Sequence, residues 1–121
     1  MADVSHAPAG SLPIRTFSTG ATRDTAQGKL DYDGFLSPLV IRRYAEYMHA
    51  HRLQSDGTLR DSDNWQKGIP QDEYRKSAWR HFMDWWTWAR GWRVDGDIED
   101  IACAILFNVM GWLHEYLAAR E

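Results

Sequence analysis

Residues 70–91, PQDEYRKSAWRHFMDWWTWARG, decide the fold, because they carry a complete set of helix signals. Pro70 is a favoured first helical residue, and Gly91 is a typical residue just past a helix C-terminus. Apolar residues recur between them at spacings of three and four, which is helical periodicity. They are Tyr74, Ala78, Phe82, Trp85/Trp86 and Ala89. The stretch therefore predicts an amphipathic helix over 70–90.

Two further helices are predicted on either side of this one. A Ser-Pro pair at 37–38 caps and begins a helix over 37–54, which ends before an Asp-Gly turn pair. The last helix covers 97–119 and has acids in its first turn, where the helix dipole favours them. Its expected buried face is Ile98, Ile101/Ala102, Ile105, Val109, Trp112/Leu113 and Tyr116. With no repeat and no sustained β alternation, the predicted fold class is all-α, a small helical bundle of three main helices.

The N-terminal part of the chain has a different composition. Residues 1–20 are small and polar, are broken by Pro8 and Pro13, and predict a flexible arm. Residues 21–36 are rich in turn-forming and charged residues. A length of 121 residues fits one compact domain, which we assign to residues 21–121.

Charge and composition exclude several classes of protein. The chain has 14 Lys+Arg against 17 Asp+Glu, a net charge of −3, so a strongly basic nucleic-acid binder is not expected. Cys103 is the only cysteine, which excludes an intramolecular disulfide and a cysteine-based zinc site. We find no signal peptide and no apolar run near the ~20 residues that cross a bilayer. These features predict a cytoplasmic protein that binds neither nucleic acid nor membrane.

Tryptophan is far more abundant than in an average protein. The chain has seven, and five of them fall within residues 79–92. One helix of a small bundle cannot bury all of these rings, and large aromatic residues favour interfaces. We therefore expect a homodimer or a larger homo-oligomer.

Acidic residues on the second and third helices form a candidate metal site. A short connection between antiparallel helices places Asp84 near Asp97 and Asp100. Gathered carboxylates repel one another unless a cation lies between them, and Mg²⁺ or Mn²⁺ prefers oxygen ligands. The alternative is a solvated face with capping acids, which explains Asp97 and Asp100 better than it explains Asp84.

Other polar residues border the same helix faces. His81 is a candidate metal ligand, a candidate general base, or half of a surface His–Asp pair. Glu73 and Arg80 lie in line with it at helical spacing, and Asn108 interrupts an apolar run in the last helix.

Two loop motifs suit a nucleotide. Asn64, Trp65 and Lys67 offer an amide, a stacking face and a cation, although a structural turn anchored by the tryptophan is the simpler interpretation of this string. In the short string GKLD, Lys29 is placed to reach a phosphate and Asp31 is a loop acid beside it.

The strings GATRDTAQGKLDYDGFLSPL, DSDNWQKGIP and YRKSAWRHFMDWW, followed by a helix bearing Asn108, occur in an order that resembles a known family. It is the phage and bacterial dATP/dGTP diphosphohydrolase N-terminal domain family, within the MazG-like all-α nucleotide pyrophosphohydrolases. The resemblance covers about residues 20–117. MazG-like enzymes hold Mg²⁺ with paired acidic motifs, and the matching elements here are His81-x-x-Asp84 and Asp97-x-x-Asp100. His81 and Asp97 stand where the pattern has glutamates. The first carboxylate of the pattern is therefore absent from this chain.

The resemblance implies metal-dependent hydrolysis of dATP or dGTP to monophosphate and pyrophosphate, as in remodelling of a phage nucleotide pool. Asp84, Asp97 and Asp100 would hold Mg²⁺ or Mn²⁺, and His81 or Glu73 would assist proton transfer. Lys29, Asp31, Asn64, Trp65, Lys67, Arg80 and Asn108 are the expected substrate-binding residues. A nucleotide-binding module without catalysis and a structural interaction domain remain as alternatives.

Overall fold

In the computed structural model, residues 14–25 and 27–120 are described, and the chain divides into two units, Met1–Ser37 and Pro38–Glu121. Of these described residues, 58% are helical, and they form four α-helices and one small sheet. Most of the predicted flexible arm, residues 1–13, lies outside the described residues. The predicted start of the domain at residue 21 falls inside the first unit.

The first unit contains a β-hairpin that the sequence analysis missed. Strands β1 (Ile14–Thr16) and β2 (Thr22–Asp24) pair antiparallel. The Phe17 amide donates to the Ala21 carbonyl at 2.8 Å across the turn, where Gly20 adopts a φ of 89°. Each strand has three exposed residues, too few to show an alternating pattern. The all-α prediction is therefore wrong in this detail: the chain is mostly helical and contains a hairpin.

The same unit ends in the four-residue helix α1 (Tyr32–Phe35). Asp31 caps this helix, because its Oδ1 accepts a hydrogen bond from the Gly34 amide at 2.8 Å. The turn-rich composition of this stretch concealed the short helix.

The second unit contains the three predicted main helices. They are α2 (Pro38–Ala50), α3 (Gln71–Ala89) and α4 (Ile98–Ala118). The ends of α3 and α4 lie within one residue of the predicted ones. Helix α2 stops four residues early because the chain reverses after it, with Leu53 and Leu59 forming an isolated β-bridge. A 3₁₀ helix (Asn64–Lys67) precedes α3.

Helices α3 and α4 form an antiparallel hairpin. Near the start of α3, the Gln71 side-chain amide donates to the Trp112 carbonyl, and the Tyr74 ring meets Phe107 edge to face at 5.7 Å. Trp112 lies in the second half of α4 and Phe107 near its middle, so the end of α3 lies beside the start of α4. Helix α2 also packs on α4.

The core of the second unit is small and lies between α3 and α4. Its buried residues are Tyr74, Ile101, Cys103, Ala104, Asn108 and Gly111. Tyr74 is 1% exposed, and its ring lies against Gly111 so closely that a Cβ there would overlap the ring. Asn108 satisfies its side-chain amide by donating to the Ala104 carbonyl at 2.7 Å.

The predicted buried faces need correction. On α4, Ile101 is buried as expected, but Val109 and Leu113 are about half exposed, and the buried row runs instead through Ala104, Asn108 and Gly111. On α3, only Tyr74 of the expected stripe is buried, whereas Trp86 is 48% exposed. The Tyr74 ring lies on Gly111, so a large residue of α3 meets a glycine of α4, and most other large apolar side chains lie outside this contact.

Helix α4 is long and apolar enough to cross a membrane by length and composition. The sequence analysis counted no such run. Of its apolar window, 28% is buried, and the buried row, which includes Asn108, packs on α3. Length and composition alone are weak evidence for a membrane span.

Two buried tyrosine hydroxyls lack hydrogen bonds. The Oη atoms of Tyr44 and Tyr74 are buried and have no hydrogen-bond partner among the described residues. Burial raises the pKa of both groups, and that of Tyr44 reaches about 12 from an ordinary value of 10.0.

We expect Gly111→Ala to lower the free energy of unfolding by about 1–3 kcal/mol, because the new methyl group must displace the Tyr74 ring. On an exposed helix face the same change would stabilise by about 1 kcal/mol. Urea denaturation measures the effect. Tyr74→Phe is the control: it keeps the ring and removes the unpartnered hydroxyl, so it should be neutral or stabilising. A stabilising Gly111→Ala would contradict the close packing.

We expect Tyr44 to make the protein less stable in alkali. Its pKa is higher in the folded chain than in the unfolded one, so its contribution is complete below pH 10 and is lost as the pH rises towards 12. Tyr44→Phe should therefore lose less stability than the wild type between pH 9 and pH 11, measured by denaturation at each pH. Tyr32→Phe, at a ring that is 68% exposed, is the control and should follow the wild type.

Candidate functional site

The second unit contains a groove of about 640 Å³, which we call the aromatic–basic groove. It lies between the end of α2, the reversal that follows it, the 3₁₀ helix and one residue of α4. The residues that define its chemistry are His49, His51, Arg52, Arg60, Asn64 and Trp65. Met48, Ile69 and Phe107 contribute apolar surface. An aromatic ring, an amide, two guanidinium groups and two imidazoles thus line one space, together with the Asp61 carboxylate.

Asn64 and Trp65 line this groove, where the sequence analysis placed the ligand. The Trp65 ring meets His114 of α4 edge on, with ring centroids 4.8 Å apart and an interplanar angle of 74°. Trp65 therefore both anchors the loop to α4 and presents surface to the groove, so the structural and the ligand-binding interpretations are compatible.

His51 occupies a special position in the groove. Its Nδ1 lies 2.8 Å from the Tyr47 carbonyl oxygen, which can only accept, so Nδ1 carries the proton. In the neutral imidazole, Nε2 is then the free acceptor. The His51 and Tyr47 rings lie 4.1 Å apart. Burial raises the pKa of Tyr47, so its hydroxyl remains a hydrogen-bond donor at neutral pH.

A second, smaller space of about 190 Å³ shares Tyr47 and His51 with the groove as lining residues, and we call it the acidic cavity. Four predicted residues line it, two from α3 and two from the start of α4. They are His81, Asp84, Asp97 and Asp100. The antiparallel α3–α4 hairpin brings them together as the short connection predicted. Asp95 of that connection also lines the cavity.

Two of these carboxylates already have partners. Asp97 caps α4, its Oδ1 accepting from the Glu99 amide at 2.9 Å. Asp100 accepts from Arg43 of α2 at 2.6 Å, and the same guanidinium donates to Glu99 at 2.7 Å. Hydrogen bonds to Glu99 and Asp100 raise the pKa of Arg43. Within residues 14–25 and 27–120, no three His, Cys, Asp or Glu side chains are grouped closely enough to hold a metal ion.

Asp84 differs from its neighbours. It is half-buried on α3 and has no hydrogen bond or ion pair within the described part of the chain. Of the three predicted carboxylates, Asp84 is therefore the one without a bond, and Asp95 of the connection likewise has none among the described residues.

Other predicted site residues lie elsewhere. Glu73 and Arg80 are exposed on α3, and Lys67 is exposed on the 3₁₀ helix; none of the three lines the groove or the cavity. Asn108 is a core residue that bonds its own helix. Lys29 and Asp31 belong to the first unit, where Asp31 caps α1.

The structure adds residues that the sequence analysis did not select. Tyr47, His51, Arg52 and Arg60 were assigned to a helix and a polar loop, and no motif marks them. The one available signal was the cluster of His and Arg at residues 49–52, just before a turn pair.

Comparison of the chain with known protein families, with curated proteins and with solved structures gives no match.

Proposed function

We propose that this chain is a MazG-like helical bundle that hydrolyses a purine deoxynucleoside triphosphate, dATP or dGTP, to monophosphate and pyrophosphate with Mg²⁺ or Mn²⁺. The observation that carries the proposal is that the two spaces have two lining residues in common. Tyr47 and His51 line both the aromatic–basic groove and the acidic cavity. A ligand bound in the groove can therefore place its phosphates beside the carboxylates.

The groove supplies binding of the base. Its volume lies in the range of small-molecule sites. Trp65 offers an aromatic surface against which a purine can stack, and Asn64 offers both a donor and an acceptor to the edge of the base.

The acidic cavity supports the metal part of the proposal. Four carboxylates and two imidazoles line one space, and carboxylate oxygens are the ligands that Mg²⁺ and Mn²⁺ prefer. Asp84 would be the first ligand, with Asp97, Asp100 and His81 beside it. Asp100 must exchange its bond to Arg43 for the cation. When bound, the cation would neutralise phosphate charge and polarise the phosphoryl group.

The candidate groups for proton transfer are two histidines that line the acidic cavity. His81 lines the acidic cavity, and His51 reaches it with its Nε2 unprotonated in the neutral form. An imidazole has a pKa suited to accepting a proton from water near neutral pH. His51 thus joins His81 as a candidate general base in place of the remote Glu73. A reaction on soluble nucleotides agrees with a cytoplasmic location, which is the host cytoplasm for a phage-encoded chain.

A second candidate function is nucleotide binding without hydrolysis. The Arg43–Asp100 ion pair favours it, because a guanidinium already neutralises one of the expected metal ligands. In that case the groove binds the nucleotide and the acidic cavity is a structural ion-pair network.

We expect the chain to release pyrophosphate from dATP or dGTP with Mg²⁺ or Mn²⁺, measured by phosphate detection across a panel of nucleotides. Asp84→Asn should lower kcat by about 100-fold or more, because a metal ligand is lost. In thermal melts Mg²⁺ should raise the Tm of the wild type but not of Asp84→Asn, whose metal-free stability should be unchanged or higher.

Asp72→Asn, on the exposed first turn of α3, is the control and should behave as wild type. Tight nucleotide binding without turnover would leave the second candidate function. An Asp84→Asn variant that is destabilised equally with and without Mg²⁺ would remove the physical basis of the metal site.

We also propose that a second copy of the chain covers the exposed aromatic residues of α3. Trp79, Phe82 and Trp85 form a row of edge-to-face contacts, with centroids 6.1 and 5.9 Å apart, and all three are more than 40% exposed. The core between α3 and α4 buries few large side chains, so apolar surface of this extent is suited to an interface.

Light scattering should therefore give the mass of a dimer or a larger homo-oligomer at micromolar concentration. Phe82→Glu should shift the mass towards the monomer, since it places a charge in the middle of the row. Gln66→Glu, exposed on the 3₁₀ helix, adds the same single negative charge elsewhere and should not. A strictly monomeric wild type would contradict the proposal.

A further inference from the structure

The reversal after α2 brings two arginines side by side. The Arg52 and Arg60 backbones are joined by a hydrogen bond from the Arg60 amide to the Arg52 carbonyl, 2.8 Å long. Next to it, Leu53 and Leu59 form the β-bridge, and Gly57 turns the chain with a φ of +88°. The two arginines therefore leave adjacent points of one short hairpin, and both line the aromatic–basic groove.

Backbone carbonyl groups, not carboxylates, hold these side chains in place. Arg52 Nε donates to the Arg60 carbonyl at 2.7 Å, and Arg60 Nη1 donates to the His51 carbonyl at 2.8 Å. Each bond uses one N–H and fixes the direction of the guanidinium plane. The other N–H donors of both groups remain available, and neither arginine has an ion pair within the described residues.

The nearby acids leave most of this positive charge unpaired. Asp56, at the tip of the reversal, accepts from the Thr58 amide and hydroxyl at 3.0 and 2.6 Å. Asp61 is the one carboxylate among the groove-lining residues, against two guanidinium groups and two imidazoles. The groove therefore favours an anionic ligand.

We propose that Arg52 and Arg60 form the binding site for the phosphate chain of the nucleotide, an assignment that rests on the proposed function. Two guanidinium forks with fixed planes match the several oxygens of a polyphosphate better than a single carboxylate. With the base at Trp65, the phosphates extend past the Arg52–Arg60 pair. Arg60 is bonded to the backbone of His51, so the phosphate site adjoins the wall of the acidic cavity.

The test uses isothermal titration calorimetry of the full chain with two probes, dATP and inorganic tripolyphosphate, without divalent metal. Arg52→Gln and Arg60→Gln should each weaken binding of both probes about ten-fold or more, because a charge-assisted contact is lost. Arg52→Lys and Arg60→Lys keep the charge but lose the fork, so their affinities should fall between. Arg75→Gln, exposed on α3 outside both spaces, removes the same charge and should bind as wild type.

Trp65→Ala separates this inference from the proposed function. It should weaken dATP but not tripolyphosphate, because only dATP has a base to stack. If tripolyphosphate binds through the arginines while dATP binds no better and ignores Trp65, the phosphate site holds and the nucleotide function fails. Folded Arg52 and Arg60 variants that bind tripolyphosphate like the Arg75 control would overturn the phosphate site itself, as would a wild type that binds neither probe.

A measurement on the wild type tests the same proposal without depending on whether the arginine variants fold. With ¹⁵N-labelled arginine, tripolyphosphate should selectively shift the Nε–Hε resonances of Arg52 and Arg60. The Nε–Hε resonance of Arg43 should stay in place. Uniform small shifts of all arginines would overturn the proposal.

Discussion

The contact between the Tyr74 ring and the Gly111 backbone sets how closely α3 and α4 approach, and the rest of the second unit depends on it. Because Gly111 has no side chain, the one fully buried large residue can lie directly on the opposing helix. Ala104 and Asn108 continue the same contact towards the start of α4. Close packing of this kind fixes both the rotation of α4 about its axis and its register along α3.

That register determines the chemistry at the other end of the hairpin. With Tyr74 beside Gly111, the antiparallel course places the residues about two to three turns further along α3 beside the first turns of α4. His81 and Asp84 consequently meet Asp97 and Asp100 around one cavity. A change in rotation of α4 would carry Asp100 away from this cavity and from Arg43 as well. The small core and the polar cavity are thus two ends of one packing arrangement.

A metal ion in the acidic cavity would compete with Arg43 for the Asp100 carboxylate. Arg43 bridges Glu99 and Asp100 and relieves part of the repulsion among the acids, while Asp84 has no partner in the described part of the chain. An ion pair that is partly exposed is weak and is easily exchanged. This is the physical reason why the same geometry accommodates both a metal-dependent enzyme and a binding module. Helix α2 contributes to both spaces, since Tyr47 lines both and Arg43 pairs with Asp100 of the cavity.

The sequence by itself determined the three main helices, because caps, proline, glycine and apolar periodicity are local signals. It also brought Asp84 towards Asp97 and Asp100, since a short connection between helices leaves little choice of geometry. Asn64 and Trp65 likewise line the groove, as their loop motif indicated.

Only the tertiary structure decided which helix faces are buried. Periodicity selects the most apolar stripe, but the Tyr74 ring requires a glycine opposite it, so the buried row of α4 includes Gly111 and Asn108 while Val109 stays exposed. The tertiary structure also decided the β-hairpin, because its three-residue strands are too short to show an alternating apolar pattern in the sequence. The Arg52–Arg60 pair arises from a chain reversal that joins residues eight positions apart through backbone hydrogen bonds, and no spacing rule in the sequence encodes that contact.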